Sequence, residues 1–412
     1  TPQLLEQFKA TGTIHLLAIS GLHMGLLAAL SFGALGWLLK RSTRLLLYVP
    51  VWKITALLTI LPLTGYALIA GFQTPVVRAW IMTCVFLLAL LFDRQWKVTT
   101  NIAIAAWLIL LWQPAQLYTV SFQLSFAAVT SIALILPRLG PLLSPRPGGS
   151  IPERLKQRFL TAMALSVAAT LGTLPLLLLY FNRFSPLGPL STLVVEPFLC
   201  LWALVWGLTG CLALPFSPAF ASHLLHVGAW GITAAEHLTA ALAALPFSSV
   251  WLPTPSHLQV IGFFGLFATV LLWRSHWTAR AWAGCCLLLV VVPPLGWTTE
   301  RHLARHTVVT YLDVGQGNSA LLELPGGKAV LIDGGGYGSE QFDPGERIIA
   351  PFLWQKHISR LAGLVITHPH ADHYNGLPFI IDKFQPEVIW TNGWGDRDSD
   401  FHQLLELARE RH

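Results

Sequence analysis

Long apolar runs dominate the chain from residue 14 to residue 298. A helix that crosses a bilayer needs about 20 mostly apolar residues. About ten runs approach or exceed this length, and the fourth is short: 14–39, 45–70, 76–92, 98–112, 117–136, 160–180, 187–214, 219–245, 258–273 and 279–298. Prolines in or beside the runs remove helical hydrogen bonds, so several helices are expected to be kinked or broken. The pattern predicts a polytopic, all-α membrane bundle over residues 1–299.

The pattern changes at about residue 306. Residues 306–315 are rich in β-branched side chains and predict a strand. Residues 319–336 predict a hairpin about the turn Pro325-Gly326-Gly327, and three glycines follow it. Further along, helical spacing at 345–357, 377–384 and 399–411 alternates with apolar strands ending near 367 and 393. Alternating β and α elements predict a layered α/β domain over residues 300–412.

Composition supports a division of the chain into a region embedded in lipid and a region exposed to water. Only 11% of the residues are charged and 54% are hydrophobic, whereas a soluble domain carries about 25% charge. These values exclude an ordinary cytosolic enzyme and a disordered chain. All five cysteines lie in apolar runs before residue 300, so neither a disulfide framework nor a cysteine-based zinc site is expected.

Charge is distributed unevenly between the two regions. Residues 1–299 hold 16 basic and 5 acidic residues, and residues 300–412 hold 10 and 15. The basic residues concentrate in alternate loops, namely Lys40, Arg41 and Arg44, then Arg94 and Lys97, then Arg138, Arg146, Arg154, Lys156 and Arg158, then Arg274 and Arg280. The opposite loops hold only Arg183. Because basic loops are retained in the cytoplasm, ten spans would place residues 300–412 outside the cytoplasm, and one miscounted helix would reverse this.

The candidates for functional ionisable residues within the apolar runs are His15, His23, Arg78, Glu196, Glu236 and His237. Such groups are costly in a membrane and usually face a bundle interior or a water-filled path. Glu196 lies in mid-run before Pro197, and its charge together with the missing hydrogen bond indicates a cavity. The other interpretations are snorkelling at helix ends for His15 and Arg78, and a local pair for Glu236 and His237. We take Arg78, Glu196, His15 and His23 as channel candidates.

Small residues recur in the segment 15–25, HLLAISGLHMG. Gly21 and Gly25 form a pair of small residues four apart, which permits close approach of another helix. His15 and His23 lie on neighbouring helical faces, where they could line one path at two depths. Plain helix packing remains the alternative.

The segment His368-Pro369-His370-Ala371-Asp372-His373 carries the sharpest chemical signal. Its four ligand-capable side chains, His368, His370, Asp372 and His373, follow an apolar strand directly. Imidazole and carboxylate suit Zn²⁺, and mixed nitrogen and oxygen sites also admit Mn²⁺ or Fe²⁺. Two divalent ions roughly 3.5–4 Å apart activate a bridging hydroxide for attack on a phosphoryl or carbonyl centre. The alternative is a polar surface loop whose histidines have no common function.

This HxHxDH motif resembles that of the metallo-β-lactamase superfamily, from about residue 307 onward. The resemblance implies that Asp333, in LIDGG, hydrogen-bonds ligand histidines beside the metals. It also implies a further histidine, a bridging aspartate and a last histidine later in the chain. Only 39 residues follow His373, and His402 lies in a helical context unlike those positions. We therefore expect the first half of the α/β fold and an incomplete metal site. Because the chain starts at Thr1 and stops at His412 inside a predicted helix, we also expect it to be truncated at both ends.

The combination of HLLAISGLHMG, GYALIAGFQTPVVRAWIM and SFQLSFAAV with LDVGQGNSALLELPGG and LVITHPHADHYNGL resembles the ComEC family of DNA-internalisation channels. The resemblance implies that one strand of transforming DNA crosses the cytoplasmic membrane, while the metallo domain degrades the other strand outside. Asp372 would be both metal ligand and orienter of the nucleophile, and Arg78 would line the DNA path. The family commonly has aspartate where this chain has Asn318.

The implied partners are single- and double-stranded DNA, the lipid bilayer, and the DNA-receptor and cytoplasmic motor proteins of the competence machinery, with homo-oligomerisation left open. Two alternatives remain. One is a membrane-anchored metallohydrolase that acts on a small molecule or a lipid, although ten spans are excessive for an anchor. The other is a transporter whose C-terminal domain is only structural, against which the intact HxHxDH motif argues.

Overall fold

The computed structural model describes residues 2–19, 21–93, 97–143, 150–271, 277–336, 342–393 and 399–411. The chain divides into two compact units, one of Thr1–Leu176 with Phe184–Val250 and one of Leu177–Arg183 with Trp251–His412. These units cut the chain elsewhere than the domain boundary predicted at residue 299, which stays a prediction. Arg94, Arg146 and Arg274 of the predicted cytoplasmic loops lie outside the described residues.

Helices form nearly all of the chain up to residue 303. They are α1 (Pro2–Ala10), α2 (Gly21–Leu39), α3 (Thr43–Tyr48), α4 (Val51–Ile69), α5 (Thr74–Leu91), α6 (Val98–Trp112), α7 (Val120–Leu143), α8 (Ile151–Phe181), α9 (Gly188–Glu196), α10 (Leu204–Ala213), α11 (Pro218–Ala243), α12 (His257–Leu271) and α13 (Trp277–Leu303). Short 3₁₀ segments occupy Ile14–Leu16 and Pro114–Tyr118, and a π-helical segment joins α9 to α10 at Pro197–Ala203. Two short strands, β1 (Arg183–Phe184) and β2 (Val250–Trp251), form a two-stranded sheet.

Seven helices among the described residues are long and apolar enough to cross a membrane. They are α2, α4, α5, α7, α8, the continuous run from α9 through α10, and α13, while the apolar helices α6 and α12 are shorter. Each of the apolar runs predicted from the sequence contains a helix, so the predicted helix-rich membrane region is confirmed. Within the first unit, α2, α4 and α5 pack around a core that includes Met24, Ala56, Leu63 and Val76.

The prolines act differently from one helix to the next. Helices α4, α8 and α13 continue through Pro62, Pro175 and Pro293. Pro197, in contrast, marks the change from α-helix to π-helix directly after Glu196. Proline has no N–H to donate to the preceding turn, and π-helical turns of this kind are frequent at functional sites.

The C-terminal part contains a five-stranded mixed sheet in the order β3-β4-β5-β6-β7. The strands are β3 (Val308–Tyr311), β4 (Ala320–Glu323), β5 (Ala329–Ile332), β6 (Gly363–Ile366) and β7 (Ile389–Thr391). The first three pair antiparallel, with Leu321 opposite Leu331, and the last three pair parallel. The predicted hairpin is present, with its turn at Pro325–Gly327.

Helices α14 (Ala350–Gln355), α15 (Ala371–Tyr374), α16 (Leu377–Phe384) and α17 (Ser399–Arg411) complete this part, and a π-helical segment at Gly345–Ile349 leads into α14. A parallel pair of strands needs a crossover connection, and α15 with α16 supplies it between β6 and β7. One hydrophobic core joins the sheet to these helices through residues such as Leu331, Leu364, Leu353 and Phe384. The predicted α/β layered domain is therefore confirmed.

Two segments that precede residue 304 are anchored to this α/β part within the second unit. Trp251 stacks on Trp354 of α14 with ring centroids 5.2 Å apart, and it meets Phe379 of α16 edge-on at the same distance. Near the end of α13, Trp297 stacks on His357 at 3.3 Å. Arg301 donates hydrogen bonds to the carbonyl oxygens of His357 and Gly327, at 2.9 and 2.8 Å. The contacts of Trp297 and Arg301 hold the loop after α14 and the turn between β4 and β5 to α13.

Candidate functional site

The HxHxDH motif lies where the strand β6 leads into the short helix α15. Strand β6 ends at Ile366, and His370 is the residue that precedes the first turn of α15. His373 is buried, His368 and Asp372 are half-buried, and His370 is exposed. A strand end followed by a tight helical turn therefore brings the four side chains to the edge of the sheet.

Asp333 links the end of β5 to this loop by hydrogen bonds. Its Oδ1 accepts from the Thr367 backbone N–H at 2.9 Å, and its Oδ2 accepts from the Thr367 hydroxyl at 2.7 Å. Nδ1 of His373 lies 2.8 Å from Oδ2. An ionised carboxylate only accepts hydrogen bonds, so Nδ1 carries the proton and Nε2 of His373 keeps its lone pair. Asp333 thus has the hydrogen bond to a motif histidine that the resemblance implied.

The remaining motif side chains approach one another closely. The ring of His368 lies 3.8 Å from the ring of His373 and 4.7 Å from that of His370, measured between centroids. Nε2 of His373 lies 3.7 Å from Oδ2 of Asp372. The donor set, imidazole nitrogens with a carboxylate, fits a divalent ion in its chemistry. Over the described ranges, no group of three or more histidine, cysteine, aspartate or glutamate side chains is gathered tightly enough to enclose an ion.

Glycines allow two other segments to approach the motif loop. A Cβ on Gly317 would lie 1.7 Å from the backbone oxygen of Asp372, and one on Gly336 would lie 2.0 Å from that of Ala371. Gly317 also has a φ of +88°, a conformation that L side chains rarely adopt. The backbone N–H of Gly334 donates to the carbonyl oxygen of His373 at 2.6 Å. The glycines of DVGQGN and of the run 334–336 therefore form a cradle for the motif.

Sequence reasoning predicted neither this cradle nor the role of Asp343. Asp343 lies two residues before the π-helical segment at Gly345–Ile349, and its Oδ1 accepts from the Glu346 N–H at 3.1 Å. Burial raises the pKa of Asp343, while the backbone N–H groups of Glu346 and Gly345 oppose that shift. Gly345 approaches the Gly376 carbonyl beside the motif helix. The only hint in the sequence to this arrangement was an acidic residue, Asp343, two positions before a glycine, Gly345.

Asn318 and His402 lie outside the hydrogen-bonded centre around Asp333. The carbonyl oxygen of Asn318 accepts from the Gly335 N–H at 3.0 Å, and its side chain is exposed. His402 is exposed on α17. At position 318 the backbone therefore contributes a hydrogen bond that asparagine and aspartate supply equally.

One of the predicted channel residues, His23, contacts the π-helical segment of the first unit. Nε2 of His23, on α2, lies 3.9 Å from the buried Sγ of Cys200. Cys200 lies in the π-helical segment that directly follows Glu196. His15 and Arg78 have other neighbours. His15 is exposed and its Nδ1 lies 3.0 Å from the Gly12 carbonyl oxygen.

Arg78 is buried on α5 at 4% exposure. One terminal nitrogen donates to the Ser121 hydroxyl at 2.6 Å. Glu236, the remaining acidic residue of the runs, borders a small polar cavity with Gln3 and Gln7 of α1.

Sequence comparisons give both parts of the chain known relatives. A family model described as "Competence protein" matches residues 1–277, and one described as "Metallo-beta-lactamase superfamily" matches residues 312–411. ComE operon protein 3 of Bacillus subtilis is 28% identical over 99% of this chain and 51% of its own length. Competence protein ComA of Neisseria gonorrhoeae is 28% identical over 91% and 49%. The uncharacterized protein YcaI of Escherichia coli is 29% identical over 94% and 48%.

The chain spans about half the length of the curated relatives that it matches. No solved structure matches it. Because the competence model covers well over half of the residues, the chain belongs to the competence protein family.

Proposed function

We propose that this member of the competence protein family conducts one strand of transforming DNA across the inner membrane. The observation that carries the proposal is the presence of two parts in one chain: a region whose described residues include seven helices able to cross a membrane, and a mixed-sheet domain with an intact HxHxDH motif. Ten apolar runs exceed what an anchor needs. The DNA-receptor and motor proteins of the competence machinery are the proposed partners, and a homo-oligomer is compatible with the proposal.

The α/β domain is proposed to lie outside the cytoplasm. In support, residues 182–183 and 251–254 belong to the same compact unit as the sheet. Nδ2 of Asn182 donates to the Leu252 carbonyl at 3.1 Å, and the Thr254 N–H donates to the Trp354 carbonyl at 3.3 Å. Arg183 belongs to the loops that lack a cluster of basic residues, which the positive-inside rule assigns to the outside.

The proposed chemistry of this domain is hydrolysis of the strand that is not transported. His368, His370, Asp372 and His373 would hold divalent ions, Zn²⁺ or Mn²⁺, with further ligands from outside this chain segment. Bound ions would supply a nucleophile at neutral pH and stabilise charge on a phosphoryl oxygen. Asp333 fixes the tautomer of His373 so that its Nε2 faces Asp372, and Asp372 would orient the nucleophile.

The proposed DNA path passes the π-helical segment between α9 and α10. In support, His23 contacts Cys200 in this segment, Glu196 directly precedes the segment, and non-α-helical backbone at membrane depth is tolerated where it lines a water-filled cavity. His15, exposed eight residues before His23, fits the mouth of the same path.

The test is uptake of labelled DNA by cells whose full-length protein carries Glu196→Ala or His23→Ala. We expect severalfold loss of internalised label for both and normal uptake for the surface control Glu153→Ala. Normal uptake in both test variants would refute the assigned path. In cells whose full-length protein carries His368→Ala, we expect no release of nucleotides from the DNA strand that is not transported.

The purified full-length protein separates the proposed function from the metallohydrolase alternative. Cleavage of DNA that depends on His368 supports a nuclease. Hydrolysis of a small ester or a lipid without cleavage of DNA would favour the membrane-anchored hydrolase instead. The topology is tested with Arg183→Cys in a variant without the native cysteines. We expect this cysteine to react with a membrane-impermeant maleimide in intact cells, because position 183 is proposed to lie outside the cytoplasm.

A further inference from the structure

Helix α8 is longer than a crossing of the bilayer requires. It has 31 residues, from Ile151 to Phe181, and at 1.5 Å per residue it is about 46 Å long. The hydrocarbon core of a bilayer is roughly 30 Å thick, and about 20 mostly apolar residues cross it. All charged residues of α8 lie before residue 159, so the uncharged part from residue 161 onward is long enough to cross the membrane by itself.

The helix that packs against α8 ends where this uncharged part begins. Gly172 of α8 lies against Ser131 of α7, since a Cβ on Gly172 would lie 1.9 Å from the Ser131 hydroxyl oxygen. The short connection from α7 to α8 makes the two helices antiparallel neighbours. Leu143, the last residue of α7, is as far from Ser131 along its helix as residue 160 is from Gly172. The end of α7 is therefore level with residue 160.

Burial changes at the same level of α8. Every residue of 151–160 except Gln157 is exposed, whereas residues 161–166 are all half-buried. The first ten residues of α8 therefore project beyond the end of α7, over a length of about 15 Å.

The projecting segment has one apolar face. Ile151, Leu155 and Phe159 recur every four residues and so form a stripe along the helix. Their exposed fractions are 82%, 67% and 50%. An apolar stripe on an otherwise charged helical segment is typical of helices that lie in the interface between water and lipid.

Basic side chains flank this stripe on both sides. With 3.6 residues per turn, Arg154 and Arg158 lie on one side of the stripe and Lys156 lies on the other. All three are exposed. The acidic residue Glu153 lies on the face opposite to the stripe, where its Oε2 accepts from the Ser150 N–H at 2.8 Å. The charge beside the stripe is therefore entirely positive.

The length of α8 places these cations at the level of lipid phosphates. With the headgroup layers included, a bilayer is about 40–45 Å thick, so each layer adds roughly 5–8 Å to the hydrocarbon core. If the core begins at residue 161, Arg158 and Lys156 lie about 5 and 8 Å above it. Arginine and lysine can bury their apolar stems there while their charged ends reach the phosphates.

A lipid surface fits the segment better than a nucleic acid does. Both offer phosphates to the basic residues. Only the lipid also offers an apolar phase for Leu155 and Phe159, which a bound nucleic acid strand would leave in water.

We propose that residues 151–160 of α8 form a binding site for anionic phospholipids in the leaflet where α8 begins. Arg154, Lys156 and Arg158 contact the lipid phosphates, and the stripe of Ile151, Leu155 and Phe159 faces the acyl chains. The site fixes the depth of α8 in the membrane, and it is independent of the metal-binding motif and of the DNA path proposed above.

The test is hydrogen exchange of peptides covering residues 151–160 in the full-length protein. The protein is reconstituted in nanodiscs of phosphatidylcholine, either alone or mixed with phosphatidylglycerol. We expect exchange in the wild type to be at least tenfold slower in the presence of phosphatidylglycerol, because each basic residue near an anionic surface adds to the attraction. Equal exchange in the two kinds of nanodisc would overturn the proposal.

Two variants separate the basic residues from the stripe. The triple variant Arg154→Gln, Lys156→Gln and Arg158→Gln is expected to exchange equally in both kinds of nanodisc. Leu155→Gln with Phe159→Gln keeps the charges and is expected to lose most of the protection. Unchanged protection in either variant would overturn the proposal.

The matched control removes three exposed arginines of the C-terminal part, by Arg305→Gln, Arg360→Gln and Arg409→Gln. It loses as much charge as the triple variant of α8 and is expected to keep the tenfold effect. Loss of the effect in this control would show that total charge decides, which would overturn the site. Protection by a short thymidine oligonucleotide in phosphatidylcholine, without an effect of phosphatidylglycerol, would overturn it in favour of DNA.

Discussion

Replacing Asp333 tests whether one buried carboxylate both holds the motif loop in place and prepares His373 to bind a metal. Asp333 is 2% exposed and accepts three hydrogen bonds, two from Thr367 and one from His373. Asp333→Ala removes every acceptor at once. Asp333→Asn keeps the shape of the side chain and tolerates the φ of +56° found at this position.

The expected loss of stability follows from the groups left unpaired. Thr367 is exposed, so water can replace part of its lost hydrogen bonding, whereas Nδ1–H of the buried His373 keeps only a long contact to the Thr367 hydroxyl, at 3.4 Å. One unsatisfied buried donor costs about 1–3 kcal/mol, and alanine in a left-handed conformation adds about 1 kcal/mol. We therefore expect Asp333→Ala to cost about 3 kcal/mol, which corresponds to more than a hundredfold in local opening.

Asp333→Asn is expected to cost only about 1 kcal/mol, because its amide can still pair with Thr367. The amide N–H₂ group, however, faces Nδ1 of His373 and forces the proton onto Nε2. That change removes the lone pair that would bind a metal, so metal affinity is expected to fall roughly 10- to 100-fold.

The assay is hydrogen exchange of peptides covering β6 in the full-length protein, combined with metal analysis of the same samples. Asp400→Ala, which removes an exposed aspartate on α17, serves as the control and is expected to cost below about 1 kcal/mol. Equal protection of β6 in Asp333→Ala and the control would refute the structural reasoning. Unchanged metal content in Asp333→Asn would refute the tautomer argument.

Three further predictions concern the second unit in the full-length protein. Gly317→Ala is expected to lower the free energy of unfolding by at least about 3 kcal/mol, because its Cβ would lie 1.7 Å from a backbone oxygen of the motif loop. The control Gly326→Ala, at a φ of +80° with open space around it, should lower it by about 1 kcal/mol. Both values are measured by equilibrium unfolding, and equal losses would contradict the close approach at Gly317. Trp251→Ala is expected to cost about 2 kcal/mol through its lost aromatic contacts, and Trp251→Phe about half as much, measured by thermal unfolding; no loss would show that this anchor is dispensable. Burial, and secondly the charge of Arg301, lower the pKa of His357 from its usual 6.5. The neutral side chain therefore contributes stability that is complete above pH 6.5 and is lost as the pH falls through the folded-state pKa. His357→Asn should make the midpoint temperature of unfolding less dependent on pH between pH 8 and pH 5, and an unchanged pH dependence would contradict this.

The apolar runs and the alternating elements after residue 306 were predictable because each depends on local periodicity. So was the position of the HxHxDH motif, since an apolar strand followed by a polar loop is a local pattern. The hydrogen bond between Asp333 and His373 was reached only through the family resemblance. It joins residues 40 positions apart, and no local pattern in one sequence reports such a distance.

The sequence alone determined which region lies in lipid and which in water, because hydropathy and charge are sums over residues and do not depend on contacts between distant segments. It also specified which side chains could bind a metal, since donor chemistry belongs to the residue itself. Tertiary structure decided which groups meet: His23 with Cys200, Gly317 with Asp372, and the buried Arg78 with Ser121. These outcomes depend on the packing of distant segments, where a few tenths of an ångström separate a hydrogen bond from a clash.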